Sequence, residues 1–144
     1  MESLNKKAKE IFCSIINTLK GKQHLKLHAK NSFPLIVEQI GNNIETEFGK
    51  GCLYSFCQYY NQNGDLMQDP EMCFIMVDNR TDKSEALEQV YVFPYMYQLA
   101  RLCLYECSIV IQDKIIEVNT AMQTKHKQLA HLWLQEIQSL GFIK

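Results

Sequence analysis

The stretch that decides the fold reads Tyr59-Tyr60-Asn61-Gln62-Asn63-Gly64-Asp65-Leu66-Met67-Gln68-Asp69-Pro70-Glu71-Met72. It joins two apolar segments, 53–60 and 72–77, which are rich in the aromatic and aliphatic residues that favour strands. Asn63-Gly64 is a strong hairpin signal, because glycine adopts positive φ without a steric penalty. The stretch therefore predicts a β-hairpin with an acidic bend.

Hydrophobic periodicity outside this stretch predicts a helix at each end of the chain and more strands between them. A stripe with a period of 3.6 residues covers 2–20, and a second covers 120–140. The remaining predicted strands are 25–29, 33–40, 90–97, 102–111 and 115–118, with a turn-rich piece over 41–51 and a loop over 78–87. The order predicts a single α+β domain, 1–144, with a mostly antiparallel sheet of about six or seven strands and both terminal helices on one face.

The composition excludes several classes of protein. The chain has 144 residues, 47% of them hydrophobic, and a net charge of −1. These values exclude wholesale disorder and argue against a protein whose main task is to coat nucleic acid or an anionic membrane. No apolar run approaches the length of a membrane span, so no membrane partner is expected.

The six cysteines do not indicate a disulfide framework. The first residues lack the features of a signal peptide, so we expect a cytoplasmic protein with reduced thiols. No Cys-x-x-Cys spacing is present. Five cysteines lie in apolar runs and are predicted to be buried as small hydrophobic side chains. They are Cys13, Cys57, Cys73, Cys103 and Cys107.

The acidic bend is the best candidate site. Its carboxylates suit either turn chemistry or a hard cation, Mg²⁺ or Ca²⁺. The glycine precedes the acids, which differs from a calcium-binding loop, and Cys73 occupies the place where a metal-dependent nuclease would have lysine. No cofactor is expected, and a divalent cation stays an alternative. The candidate residues are Asn63, Gly64, Asp65, Asp69 and Glu71.

The histidines do not predict a catalytic site. His24 and His28 lie on a predicted strand, too far apart to bind one ion. His126 falls at the edge of the apolar stripe of the last helix, where packing and hydrogen bonding are the usual roles. No catalytic residue is predicted.

Aromatic residues are dense on two predicted strands. Strict alternation places some of them on each face of the sheet, and the helices cover one face only. If the second face is open, its aromatic patch marks a partner surface; alternatively, loops or another copy of the chain cover it. The candidates for contact with a protein partner or a homo-oligomer are Tyr59, Tyr60, Tyr95 and Tyr97.

Three segments carry a resemblance to a known family. They are the run 60–72, the segment Pro94-Tyr95-Met96-Tyr97-Gln98, and the helix with Trp133 that ends on Gly141-Phe142. Together they resemble a family of small bacterial proteins of unknown function that occur on phages, plasmids and conjugative elements. The resemblance implies the cytoplasm of a bacterial host and implies no activity. Leu99-Ala100-Arg101 departs from the polar Asn-Asp pair expected after the Tyr-Gln segment.

The sequence favours a non-enzymatic interaction or regulatory protein of a mobile element, which binds a host protein or a protein of the element. A counter-defence inhibitor is one example of such a protein. One alternative is a metal-dependent phosphodiester hydrolase that uses the acidic bend. Another is a nucleic-acid-binding regulator, which would use lysines on the two helices. These are Lys6, Lys7, Lys9, Lys125 and Lys127.

Overall fold

In the computed structural model, residues 1–143 are described, and eight strands join in one sheet with two helices. Leu87–Gln89 and Ala100–Leu102 add single 3₁₀ turns. The elements in chain order are α1 (Lys6–Thr18), β1 (His24–Leu27), β2 (Leu35–Thr46), β3 (Gly49–Gln62), β4 (Asp65–Asp78), β5 (Val90–Leu99), β6 (Leu104–Cys107), β7 (Ile109–Gln112), β8 (Lys114–Val118) and α2 (Thr120–Leu140).

The strand order is β6-β5-β4-β3-β2-β8-β7, and β1 pairs with the first part of β2. Strands β1 to β6 form an antiparallel unit of neighbouring strands. The β7–β8 hairpin joins it through one parallel pair, Glu45 with Lys114. The predicted α+β class is confirmed.

The central hairpin is confirmed and is longer than predicted. The pairing of β3 with β4 runs from Cys52–Met76 to Gln62–Asp65. Asn63 (φ 54°) and Gly64 (φ 91°) form the two-residue turn, and the Gly64 amide donates to Asn61 Oδ1 at 2.8 Å. The acidic residues therefore lie on strand β4. The expectation that they form a bend between the strands is wrong, because the pairing of β3 with β4 continues up to the turn.

The turn-rich piece predicted over 41–51 is also wrong. Strand β2 continues to Thr46, and β3 already begins at Gly49. Two register shifts, between Gln39 and Gly41 and between Gly41 and Ile44, let the strand absorb its turn-forming residues.

Both helices begin at asparagine caps. Asn5 Oδ1 accepts from the Ala8 amide at 2.9 Å, and Asn119 Oδ1 accepts from the Met122 amide at 3.1 Å. α2 ends at Gly141, whose φ is 91°. The two helices cover one face of the sheet, as predicted, and bury a core with these large side chains at its centre: Phe12, Ile15, Leu35, Phe56, Met72, Phe74, Leu134 and Ile137.

The second face of the sheet is covered in part by the chain itself. The β7–β8 hairpin packs over Ile75, Val77 and Phe93, with Ile109 buried in that cluster. Phe48 stacks on Tyr91 with 4.6 Å between the ring centroids. No helix within residues 1–143 combines the length and apolarity needed to cross a membrane.

Candidate functional site

The three carboxylates predicted to form the acidic bend, those of Asp65, Asp69 and Glu71, do not converge on one point. Asp65 is exposed beside the turn, whereas Asp69 pairs with Arg101, with 3.2 Å between Oδ2 and Nε. Glu71 Oε2 accepts from Ser55 Oγ at 2.6 Å, on the side of β3 that faces away from the helices. Within the described residues, no group of three or more His, Cys, Asp or Glu side chains is placed to hold a metal ion. The geometry gives no support for the cation alternative.

Asp69 and Pro70 instead form one wall of a groove between the sheet and α2. The groove has a volume of about 330 Å³, and we call it the helix–sheet groove. Strand β5 supplies its floor, the 3₁₀ turn after β5 supplies Arg101, and α2 supplies the opposite wall. Its lining is Gln58, Asp69, Pro70, Tyr97, Leu99, Arg101, Leu129, Leu132, Trp133 and Glu136.

The apolar part of the groove is held in place by a hydrogen bond. Trp133 is 7% exposed, and its indole Nε1 donates to Gln58 Oε1 at 3.1 Å. Leu132, the preceding residue, is 67% exposed. A fixed indole beside an exposed leucine gives the groove an apolar wall that a partner side chain can contact.

The polar part of the groove lies at its rim. Arg101 is 57% exposed and Asp69 is 23% exposed, so their ion pair is open to solvent. Glu136 is exposed on α2. The groove therefore combines an apolar wall with a rim of paired and unpaired charges.

The four candidate tyrosines do not form one surface. Tyr97 lines the groove and packs on the helix-side core. Tyr95 packs on the other face, where burial raises its pKa strongly. Burial raises the pKa of Tyr59 to about 12, beside Cys57, and the Tyr60 hydroxyl donates to Gln62 Oε1 at 3.0 Å.

Sequence reasoning missed Leu132, Arg101 and Glu136. Leu132 had a usable signal, because it is a leucine that lies off the buried stripe of α2. For Arg101 the sequence held no signal except that Leu99-Ala100-Arg101 departs from the pattern of the family it resembles.

A second polar cluster lies inside the molecule under α2. Ser108 Oγ and His126 Nδ1 are 2.8 Å apart, and His126 Nε2 and Glu106 Oε1 are 3.2 Å apart. With Glu106 ionised, the imidazole proton lies on Nε2 and Ser108 donates to Nδ1. Ser108 is 1% exposed and His126 is 0% exposed, so this row of serine, histidine and acid is closed to a substrate.

Ionisation within this buried row follows from its surroundings. Burial lowers the pKa of His126, although the Glu106 carboxylate opposes that effect. The hydrogen bond from Lys125 lowers the pKa of Glu106, and the hydrogen bond from His126 lowers it further. The row is therefore a neutral imidazole held by an ionised carboxylate, and the prediction that His126 is packed and hydrogen-bonded is confirmed.

The lysines proposed for nucleic acid on the helices are largely engaged. Lys9 Nζ donates to two backbone carbonyls, those of Leu87 and Val90, at 3.0 Å each. Lys125 pairs with Glu106 at 2.9 Å, and Lys127 pairs with Glu2 at 3.3 Å. These contacts tie the helices to the rest of the fold.

The thiols are free throughout the described residues. Burial raises the pKa of Cys13 to about 11 and those of Cys57 and Cys73 to about 12, which makes them unreactive. The expectation of burial is wrong for Cys103 and Cys107, which are exposed, because they lie at the turn before the edge strand β6 and at its end.

With this geometry established, comparison with known proteins gives one match. The model of a family described as "Domain of unknown function (DUF6908)" matches residues 7–143. The chain belongs to this family. No curated protein and no solved structure matches it. The match spans the hairpin, the groove, α2 and all but the first residue of α1.

Proposed function

We propose that this DUF6908 chain is a non-enzymatic interaction protein of a phage or plasmid, and that it binds a host or element protein through the helix–sheet groove. It acts in the cytoplasm of a bacterial host, and counter-defence inhibition is one form of this role. The single observation that carries the proposal is the 67% exposure of Leu132 beside the fixed indole of Trp133. An exposed leucine on a rigid helix is an arrangement that partner surfaces use.

The groove also indicates the chemistry of the partner. Its rim carries Asp69, Arg101 and Glu136, and Asp69 is already paired with Arg101. Among the described residues Glu136 forms no salt bridge, which leaves one free negative charge at the rim. The fitting partner is a protein segment with an apolar side chain for the Leu132–Trp133 wall and a lysine or arginine for Glu136.

Two placements of polar residues favour binding over catalysis. The row of Ser108, His126 and Glu106, which has the composition of a nucleophile, base and acid, is closed under α2. The acidic residues of β4 point to different sides of the sheet. Catalysis needs such groups around one accessible point, whereas binding needs only a shaped surface.

The proposal is tested with the substitution Leu132→Glu and a matched control, Ile116→Glu. Ile116 is also exposed, at 49%, and lies on β8, away from the groove. Proteins captured from host lysate by the wild-type chain are identified and purified, and their affinities are measured by calorimetry. We expect Leu132→Glu to weaken binding by about a hundredfold, and Ile116→Glu to change it by less than about threefold.

Thermal unfolding of both variants serves as the folding control, and both should melt near the wild-type temperature. A purified partner that binds Leu132→Glu as tightly as the wild type would overturn the proposal. Equal loss in both variants would overturn it as well, because it would place the contact outside the groove.

A further inference from the structure

A cleft at the end of α1 gathers basic side chains from three parts of the chain. Two adjoining cavities of about 290 Å³ and 190 Å³ share Ile16, Asn17, Tyr54 and Lys83. Their basic residues come from the turn between α1 and β1, from β3 and from the loop after β4. We call the site the lysine cleft, and its basic lining is Lys20, Lys22, Lys50, Arg80 and Lys83.

The positive charge of this cleft is poorly compensated by the protein. Asp78 is the one acid in its lining, and Arg80 holds both its oxygens, at 2.9 Å and 2.8 Å. The hydrogen bond from Arg80 accordingly lowers the pKa of Asp78. Lys50 reaches Glu45 only at 3.7 Å, with both side chains more than 60% exposed. Such an exposed and long pair contributes little.

The other lysines of the cleft differ from Lys50 in their pairing. Within residues 1–143, Lys20, Lys22 and Lys83 take part in no salt bridge. The chain around the first two adds to the positive potential, because residues 20–30 contain four lysines and no acid. This segment carries a formal charge of +4 in a chain whose net charge is −1.

The hydroxyl of Tyr54 adds a hydrogen-bond donor to the wall of the cleft. Tyr54 is 8% exposed, and its ring packs edge-on against Phe12 with 6.1 Å between the centroids. Burial raises its pKa to about 12, and no hydrogen bond from residues 1–143 contributes to that value. No described buried side-chain oxygen lacks a partner, so this hydroxyl meets the solvent of the cleft, where it is a free donor.

A simpler explanation covers only part of the site. Lysines after a helix compensate the negative end of its dipole, which accounts for Lys20 and Lys22. It does not account for Lys83 from the loop after β4, for Lys50, or for the unpartnered hydroxyl of Tyr54. Several ammonium groups with a neutral hydroxyl donor are the groups that recognise a phosphate.

We propose that the lysine cleft binds the phosphate group of a nucleotide or of a nucleic-acid end. The two sources share this chemistry, and the two adjoining cavities together, though not either one alone, have the volume of a small-ligand site. The site lies at the opposite end of α1 from the chain terminus and shares no residue with the helix–sheet groove. Phosphate binding at the lysine cleft can therefore be tested independently of partner binding at the helix–sheet groove.

The test is calorimetry at low salt with four probes: pyrophosphate, AMP, a 5′-phosphorylated oligothymidine and the same oligothymidine without the phosphate. The variants are Lys22→Gln with Lys83→Gln, and Tyr54→Phe, which keeps the ring and removes the hydroxyl. Lys6→Gln with Lys7→Gln is the matched control, since both residues are exposed and begin α1 at its other end.

We expect pyrophosphate to bind the wild type, and the Lys22/Lys83 variant to lose about tenfold or more in affinity. Tyr54→Phe should lose severalfold, and the Lys6/Lys7 control should bind as the wild type does. Preference for AMP identifies a nucleotide source, and preference for the phosphorylated oligothymidine identifies a nucleic-acid end. Binding of none of the probes, equal loss in the Lys6/Lys7 control, or equal affinity for both oligothymidines without a preference for AMP would overturn the proposal.

Discussion

Two acid–base groups lie beside α2, one inside the protein and one at its surface. Glu106, His126 and Ser108 form a closed row between the helix and the strands, and Asp69 with Arg101 forms an open pair at the groove. Both contain charges that sequence alone would treat as equal candidates for a site. The difference is solvent access, which makes the buried row a structural link and leaves the open pair in contact with water.

The largest effect should come from the buried row. His126→Ala removes a completely buried ring and leaves the Ser108 hydroxyl and the Glu106 carboxylate without that partner. We expect a loss of about 3 kcal/mol in the free energy of unfolding, measured with urea. Leu132→Ala on the same helix is the control, and it should cost less than about 0.5 kcal/mol. Similar costs for the two substitutions would break the distinction between the regions.

The pH dependence of stability should sharpen the comparison further. Burial lowers the pKa of folded His126, so the unfolded chain takes up the proton first, near its ordinary value of about 6.5. The stability is therefore fully present above that pH and declines as the pH falls below it. Urea unfolding between neutral and mildly acidic pH measures this slope.

His131 contributes in the same direction, since burial lowers its pKa as well. His131→Gln is the control that removes the contribution of His131. Most of the pH dependence of the free energy of unfolding should remain in this variant. A free energy of unfolding that rises on mild acidification would contradict the assignment of a neutral, buried imidazole.

The smallest effect on stability should come from the open pair. Asp69→Asn and Arg101→Gln, alone and together, should show a coupling of no more than about 1 kcal/mol in a double-mutant cycle, because the Arg101 side chain is 57% exposed. The affinity for a groove-bound partner should change more than the stability does. A coupling as large as the cost of His126→Ala would place this pair among the elements that hold the fold together.

The elements were more predictable than their ends. The central hairpin followed from Asn63-Gly64 between two apolar runs, and α2 followed from its stripe and from Gly141. The extent of β2 was missed, because Gly41 and Asn43 look like a turn and are in fact bulges in a paired strand. Local propensity cannot reveal that a partner strand continues the ladder.

The candidate site was predicted only in part. Asp69 and Tyr97 line the groove, as members of segments that the sequence singled out. Asp65 and Glu71 lie elsewhere. Strict alternation would place all three acids on one face, but the register shift between Gln68 and Glu71 interrupts it, so Asp69 and Glu71 reach different partners. Asp65 lies at the turn end of the hairpin. Arg101 enters the site from another segment, and the lysine cleft draws on three segments, which no local pattern reveals.

The sequence by itself determined the α+β class, the presence of the two terminal helices, and the turn at Asn63-Gly64, because these depend on periodicity and on the conformations that single residues prefer. The tertiary structure decided which charges meet. It closed His126 and Ser108 under α2, left Leu132 open and brought Lys83 to Lys22. Burial and proximity are properties of packed elements, and they determine whether a polar group supports the fold or is free to bind.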